Sequence, residues 1–374
     1  MLQPPPAVPG MGIEEIDTPA LLLDLDALEF NLDAMAGFLH KTGVRLRAHA
    51  KTHKSPVIAH MQIARGAVGQ CVQKVAEAEA LAWAGVRDIL VSNEVLCPVK
   101  LARLAALSTI TRIAVCADSV AGVDAVAKAA RDAGAQITVL VEINVGANRC
   151  GVSPGAEAVN LARAIAAYPH LQFGGLQAYH GAAQHLRSPK ERESASLASA
   201  HAASLTVQQL AAAGLSCATV SGGGTGTFAY DAAGGVFNEI QAGSYCLMDG
   251  DYAANHTDAA DRSPRFRQAL FVLASVISSP RTGTAVVDAG HKAIAIDSGL
   301  PLVWNRPDLR YVGASDEHGK IAFEPTAPPP RLGERLWLTP GHCDPTVDRF
   351  DWYVVIKNGR VHGLWPVAAR GGMS

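Results

Sequence analysis

The sequence predicts an α/β protein made of a (β/α)8 TIM-type barrel and a second, mainly β domain. Between residues 44 and 245, short β-branched runs alternate with Ala/Leu-rich helical stretches, the mark of repeated βα units around a parallel sheet. After about residue 260 the helical pattern gives way to β-rich runs such as ALFVLASVISSP, TAVVDAG and WYVVIKNGRVHGLWPV, parted by Pro, Gly and Asp turns. The expected division is a barrel over 27–258 and a β-rich domain assembled from 1–26 and 259–374. The early run PALLLDL lies a full helix ahead of the first barrel strand, so either the β domain or the barrel flank could take it.

The barrel strands are expected at 44–51, 68–74, 88–94, 110–118, 135–144, 171–179, 215–221 and 237–245. Helices fill the intervals. In SVAGVDAVAKAARDAG, Val and Ala recur at three- and four-residue spacing after an Asp-Ser start and before a closing Gly. Eight such strands favour a closed barrel over an open doubly wound sheet, and no GxGxxG follows an early strand to indicate a dinucleotide fold.

Of the 374 residues, 49% are hydrophobic and 18% charged, ample for a packed core. A net charge of −2 provides no field to gather nucleic acid or anionic lipid, which leaves small molecules as the expected partners. The seven cysteines are scattered and form no CxxC pair, the pattern of buried thiols in a reducing, cytoplasmic setting. MLQPPPAVPGMGIEEIDTP lacks the basic and apolar regions of a secretory signal, and no apolar run reaches the ~18 residues of a membrane span.

In such a barrel the active site lies at the carboxyl ends of the strands. The first strand ends at Lys51, with His49 on the same side by alternation; the second ends at Gln73, the third at Asn93 and Glu94, the fourth at Asp118. Arg149 follows the fifth in NVGANRCG, and the sixth ends at Tyr179 and His180. After the seventh comes SGGGTGT, whose glycines let backbone N–H groups face an anion, and the eighth ends AGSY, adding Gly243 and Ser244. Loops at these two positions form the usual phosphate site of the fold. A phosphate cup opposite a strand-end lysine meets the needs of pyridoxal phosphate, and equally those of a phosphorylated sugar bound as a Schiff base.

In LTPGHCDPT, His342 and Asp344 lie two apart and share a side if the backbone is extended, with Cys343 facing away. An imidazole and a carboxylate suit Mn²⁺, Mg²⁺ or a similar divalent ion, although a His–x–Asp pair also occurs as a hydrogen-bonded turn.

Together DTPALLLDLDALEFNL, RAHAKTHKSP, NVGANRCGV, GLQAYHGAAQH, SGGGTGT, QAGSYCLMDGDY, VVDAGHKA, SDEHG and PGHCDPT resemble, in this order, the pyridoxal-phosphate enzymes of the alanine-racemase-like fold. The similarity is to the branch of D-threonine aldolase and 3-hydroxy-D-aspartate aldolase, and it covers nearly the whole chain. It implies that Lys51 is the Schiff-base lysine, that Arg149 meets the cofactor phenolate, and that Tyr179 packs on the pyridine ring. The resemblance further implies phosphate contacts from Gly223, Gly224, Thr225, Gly243 and Ser244, with Gln73 and Tyr245 in the pocket and a divalent metal, Mn²⁺ or Mg²⁺, on His342 and Asp344. Related dehydratases look like His–x–Cys in this stretch, so the aspartate favours aldol cleavage over loss of water.

The expected reaction is cleavage of a β-hydroxy-D-amino acid to glycine and an aldehyde, or to glycine and glyoxylate where the β substituent is a carboxylate. His185 in AAQH is the candidate base for the β-hydroxyl proton, and a surface histidine opening the next loop is the other reading. His291 or Lys292 could meet a substrate carboxylate. A D-serine or 3-hydroxyaspartate dehydratase, a racemase and a pyridoxal-phosphate carrier stay open as alternatives, and a homodimer is expected by similarity to the fold.

Overall fold

The computed structural model describes residues 4–258 and 263–374. Strand β1 (Ala20–Asp24) leads through helix α1 (Leu25–Thr42) into the barrel. Asp24 caps α1 by accepting from the Ala27 amide at 2.9 Å, and Gly43 ends it in the left-handed region at φ 72°. The helix buries Leu25, Leu28, Leu32, Met35 and Leu39 along one stripe against the core.

The barrel strands are β2 (Arg45–His49), β3 (Gly69–Val72), β4 (Asp88–Glu94), β5 (Arg112–Ala117), β6 (Ile137–Glu142), β7 (Leu171–Ala178), β8 (Thr219–Gly222) and β9 (Glu239–Ile240). They close in that order, with Arg45 and Leu46 of β2 paired in parallel with Glu239 and Ile240 of β9. Between them run α2 (Pro56–Ala64), α3 (Val75–Trp83), α4 (Pro98–Leu107), α5 (Val120–Asp132), α6 (Ala156–Ala166), α7 (Pro189–Ala212) and α8 (Phe228–Ala233). The stretch singled out above is α5, where the Ser119 hydroxyl accepts from the Gly122 amide at 3.2 Å.

All eight strands exist, but several are shorter than expected. The first ends at His49, because the amides of His53 and Lys54 both turn back to the Ala50 carbonyl; Lys51 therefore sits in a turn just past the strand. The eighth is two residues long. At Gly243 the chain leaves the sheet and presses on the end of β2, where an added Cβ would lie 2.7 Å from Thr52 Oγ1 and 2.8 Å from the His49 carbonyl oxygen. The expected change of domain at 258/259 abuts residues 259–262, which lie outside the described residues.

Side chains inside the barrel follow the period of two. At the base Arg47 pairs with Asp88 at 2.6 Å and with Glu239 at 2.9 Å. Cys71, Leu90, Cys116 and Leu140 form the next layer. Two residues further along these strands stand Gln73, Ser92, Asp118 and Glu142 at the mouth, of which Gln73 and Asp118 are expected strand ends.

After the short helix α9 (Gly250–Ala253) the chain builds β10 (Leu270–Arg281), β11 (Thr284–Val287), β12 (Leu302–Val303), β13 (Leu309–Ala314), β14 (Gly319–Phe323) and β15 (Arg335–Thr339). Helix α10 (Cys343–Val347), β16 (Trp352–Lys357) and β17 (Arg360–Pro366) complete it. The main path of the sheet is β13-β14-β11-β10-β1-β16-β17, with β15 on β10 and β12 on β15. PALLLDL thus belongs to the second sheet: Leu21–Leu23 pair antiparallel with β10 and parallel with β16. The preceding arm is held too, with Ile16 buried and the Gly10 amide bonded to the Val361 carbonyl at 2.8 Å. No helix among the described residues is long and apolar enough to cross a membrane.

Candidate active site

A cavity of about 470 Å³ opens at the carboxyl ends of the strands, lined by His49, Lys51, Gln73, Arg149, Tyr179 and His185 from the barrel and by His342 from the β domain. Lys51 reaches across this seam, its Nζ 2.5 Å from Asp344 Oδ2. Asp344 is half-buried; desolvation would raise its pKa, yet the Lys51 ammonium prevails and holds the carboxyl well below the usual range. The same pairing raises the Lys51 amine against the opposing effect of burial. His49 is pushed well below its ordinary value by burial and then by the Lys51 charge, so it is neutral; its Nδ1 accepts from the Lys51 amide at 3.4 Å.

Gln73 Nε2 lies 3.5 Å from His49 Nε2. Burial raises the Tyr179 phenol, against the pull of Lys51 and Arg149. Arg149 sits in a loop held by Asn144, whose Oδ1 accepts from the amides of Gly146 and Asn148, each at 3.1 Å. Beside it Glu94, Asp118 and Cys150 bring their side-chain oxygen and sulfur atoms within 4.8 Å of one another. Burial and Glu94 push Glu142 up to about 8, with Arg149 opposing. Burial also pushes the Cys150 thiol up to about 11. The acidic strand ends noted in the sequence therefore gather around Arg149, and His180 packs on Gly146 beside the cavity.

His185 closes the short 3-10 turn Ala182–His185 after β7. Its Nδ1 rests on the Asp251 carboxylate, and its ring lies 5.3 Å from that of Tyr252, centre to centre. The amide side chains of Gln177 and Gln241 bond each other at 3.0 and 2.6 Å past the end of β8, which lies between their strands. His342 is extended, at φ −141° and ψ 120°, and its Nδ1 is 2.7 Å from Asp297 Oδ2. The segment does not stay extended: Asp344 lies in the first turn of α10 and reaches the mouth from a helix, while Cys343 is buried with its amide on Asp249 at 2.9 Å.

The glycine loop after β8 is packed too tightly for side chains. A Cβ at Gly224 would lie 2.6 Å from Gln184 Oε1, and the Gly226 amide donates to that oxygen at 2.9 Å. The Thr225 hydroxyl accepts from the Tyr245 amide at 2.9 Å, drawing the loops after β8 and β9 together. The amides of Thr225 and Ser244 have no acceptor among the described residues. Gly223, Gly224, Gly243 and Ser244 surround them, a cradle with the donors and the lack of side chains that a phosphate needs. A lysine amine at the mouth and this cradle fit pyridoxal phosphate. His342, oriented by a carboxylate at one ring nitrogen, and Asp344 fit a divalent ion with nitrogen and oxygen ligands.

Three expectations change. Tyr245 turns away from the cavity: its amide is taken by Thr225, its hydroxyl accepts from Gln62 at 3.2 Å, and its ring is fully buried. Lys292 is exposed and pairs with Glu317 at 2.6 Å, and neither it nor His291 lines the cavity. The extended His–x–Asp geometry is replaced by a strand-to-helix junction. Asp251, Asp297, Gln177 and Gln241 went unread. The two glutamines lie two residues before Tyr179 and Gly243, so the alternation that found those positions also leads to them; Asp251 and Asp297 carry no local signal.

The architecture is that of barrel proteins with a lysine at the mouth after the first strand and a β domain packed across it. Residues 23–250 match the family described as alanine racemase, N-terminal domain, and residues 269–356 match a putative serine dehydratase domain. A D-threonine aldolase of Arthrobacter sp is 46% identical over 368 residues, covering 98% of this chain and 96% of that one. A 3-hydroxy-D-aspartate aldolase of Paracoccus denitrificans (strain Pd 1222) is 45% identical over 370 residues, covering 98% and 95%. The crystal structure of D-threonine aldolase from Filomicrobium marinum superposes with a TM-score of 0.97 at 47% identity, covering 99% of this chain and 100% of that one. The chain belongs to the alanine racemase N-terminal domain family, in the branch of D-threonine aldolase and 3-hydroxy-D-aspartate aldolase.

Proposed function

We propose that this chain is a pyridoxal-phosphate- and divalent-metal-dependent aldolase. Its substrates are β-hydroxy-D-amino acids of the D-threonine or 3-hydroxy-D-aspartate type, and its products are glycine and an aldehyde or glyoxylate. The observation that carries this reading is the meeting of Lys51, His185 and the His342–Asp344 pair around one cavity.

Lys51 would hold the cofactor, with Arg149, Tyr179 and Gln73 about its ring and the Thr225–Ser244 cradle on its phosphate. His342 and Asp344 would hold the metal, and the aspartate in place of a thiolate favours a harder ion such as Mn²⁺ or Mg²⁺. When bound, the cofactor accepts the electron pair left as Cα–Cβ breaks, and the metal lowers the pKa of the β-hydroxyl. His185 takes the hydroxyl proton at Nε2, the ring nitrogen not resting on Asp251. His49, held neutral by burial, leaves Arg149 as the cation of the mouth beside Lys51.

All seven cysteines are free and four are buried, which supports a reducing, cytoplasmic location. Leu300, Leu302 and Trp304 of the β domain stand 42–58% exposed, which supports a homodimer whose second copy covers them.

Incubation with cofactor and Mn²⁺ should release glycine from D-threonine, D-phenylserine or 3-hydroxy-D-aspartate, and a chelator should stop it. Lys51→Ala should abolish turnover together with the visible absorbance of the lysine-bound cofactor. The match of 269–356 to a putative serine dehydratase domain keeps one second reading in play. Release of ammonia and a keto acid in place of glycine would decide for it.

A further inference from the structure

We infer that Asp251 is a positioning residue: it fixes the tautomer of His185 and, through the same turn, sets the spacing between that base and the His342–Asp344 pair. The inference rests on the reading of His185 as the base.

Asp251 is 8% exposed and lies in α9, 66 residues along the chain from His185. One carboxylate oxygen meets His185 Nδ1 and the other accepts from Arg187. Arg187 also donates to the Asp251 carbonyl at 2.7 Å and to Asn255 Oδ1 at 2.8 Å, and the Asn255 amide donates to the Gln184 carbonyl at 2.9 Å. These bonds close a ring that leaves the carboxylate no freedom to turn. A carboxylate only accepts, so His185 carries its proton on Nδ1, and Nε2 is left with the lone pair a base requires.

The turn is tied to the β domain as well. The Gly250 and Asp251 amides donate to the carbonyls of Pro340 at 2.9 Å and Gly341 at 3.1 Å. The Asp249 carboxylate accepts from the Cys343 amide at 2.9 Å and from the Tyr252 amide at 2.9 Å. Residues 249–252 therefore grip the segment that runs into His342 while they hold His185. A base and a metal acting on one hydroxyl need such a shared reference, since misplacement by about 1 Å can cost roughly 10²-fold in rate.

The test turns on Arg187, which can only donate. In Asp251→Asn the side-chain oxygen stays with Arg187, so the NH₂ group faces His185 Nδ1 and drives the proton to Nε2. In protein labelled with [¹⁵N]histidine, the His185 signal, identified by its loss in His185→Ala, should shift from the Nδ1–H to the Nε2–H pattern. The kcat should fall roughly 10²–10⁴-fold with KM nearly unchanged. Adding Arg187→Met frees the amide to flip, and should restore the Nδ1–H pattern and about tenfold of kcat. Asp251→Asn in the His185→Ala background should cost nothing further.

Retention of the Nδ1–H pattern in Asp251→Asn, or losses that multiply in the double variant, overturns the inference. If Asp251→Asn does not fold, Asp251→Glu keeps the acceptor and should hold kcat within about tenfold of the parent; a loss of roughly 10²-fold or more overturns the inference equally. A cost below about tenfold for His185→Ala would sink the base reading, and this inference with it. A large cost there beside an unchanged tautomer in Asp251→Asn sinks this inference alone.

Discussion

His185 at the barrel rim and His342 in the β domain both rest Nδ1 on a carboxylate, but the two carboxylates live in different surroundings. Asp251 is almost wholly buried and shares its charge with Arg187, whereas the Asp297 side chain is 55% exposed. A buried, doubly bonded carboxylate holds a ring in one orientation. An exposed one competes with water, and its hold on the ring is correspondingly weaker. The difference suits the roles proposed: a base needs its orientation built in, while a metal ligand gains much of its order from the ion it binds.

The largest effect tests whether His342 is a ligand at all. His342→Ala should abolish metal uptake in a calorimetric titration and lower kcat/KM by ~10³-fold, with chelator making no further difference. An activity that still responds to chelator would remove His342 from the metal site and dissolve the comparison. Asp297→Asn should do far less, weakening metal affinity by roughly 10-fold at constant kcat under saturating metal. A loss as large as that of His342→Ala would show Asp297 itself to be a ligand.

A separate effect, on stability, concerns a histidine that lacks such a carboxylate. His53 lies just past Lys51, wholly buried, and its carbonyl accepts from the Tyr353 hydroxyl at 2.7 Å. Burial pushes it down to about 4 from an ordinary 6.5. The unfolded chain then takes up the proton first, so the stability due to neutral His53 is complete above pH 6.5 and is lost as the pH falls toward 4. The loss is of order 3 kcal/mol. Glu142, raised to about 8, acts in the opposite sense and lowers stability as the pH rises from 4.5 through 8. Urea midpoints of the parent and of His53→Gln should therefore converge on acidification from pH 7 to 4.5, and parallel curves would refute the assignment.

Much of the site was legible because strand periodicity is a local property. Once eight runs are counted, their ends lie at one mouth, and Lys51, Gln73, Arg149, Tyr179 and His185 meet there. Tyr245 shows the limit of the same reasoning. Its place after the last strand is right, yet the hydrogen bonds that consume its amide and hydroxyl come from Thr225 and Gln62, remote in the chain. His291 and Lys292 lie outside this cavity, since proximity to a motif says nothing about which way a β-domain loop faces.

The sequence by itself determined the barrel, the β domain after it, the lysine at the mouth and the glycine cradle, since each rests on residue periodicity or on backbone freedom within a few positions. Only the tertiary structure decided that Asp344 reaches Lys51 from a helical turn, and that Asp251 and Asp297 orient the two histidines. Those pairings join residues 293, 66 and 45 positions apart. Which carboxylate meets which partner at such separations is set by how the two sheets pack, and no local pattern encodes it.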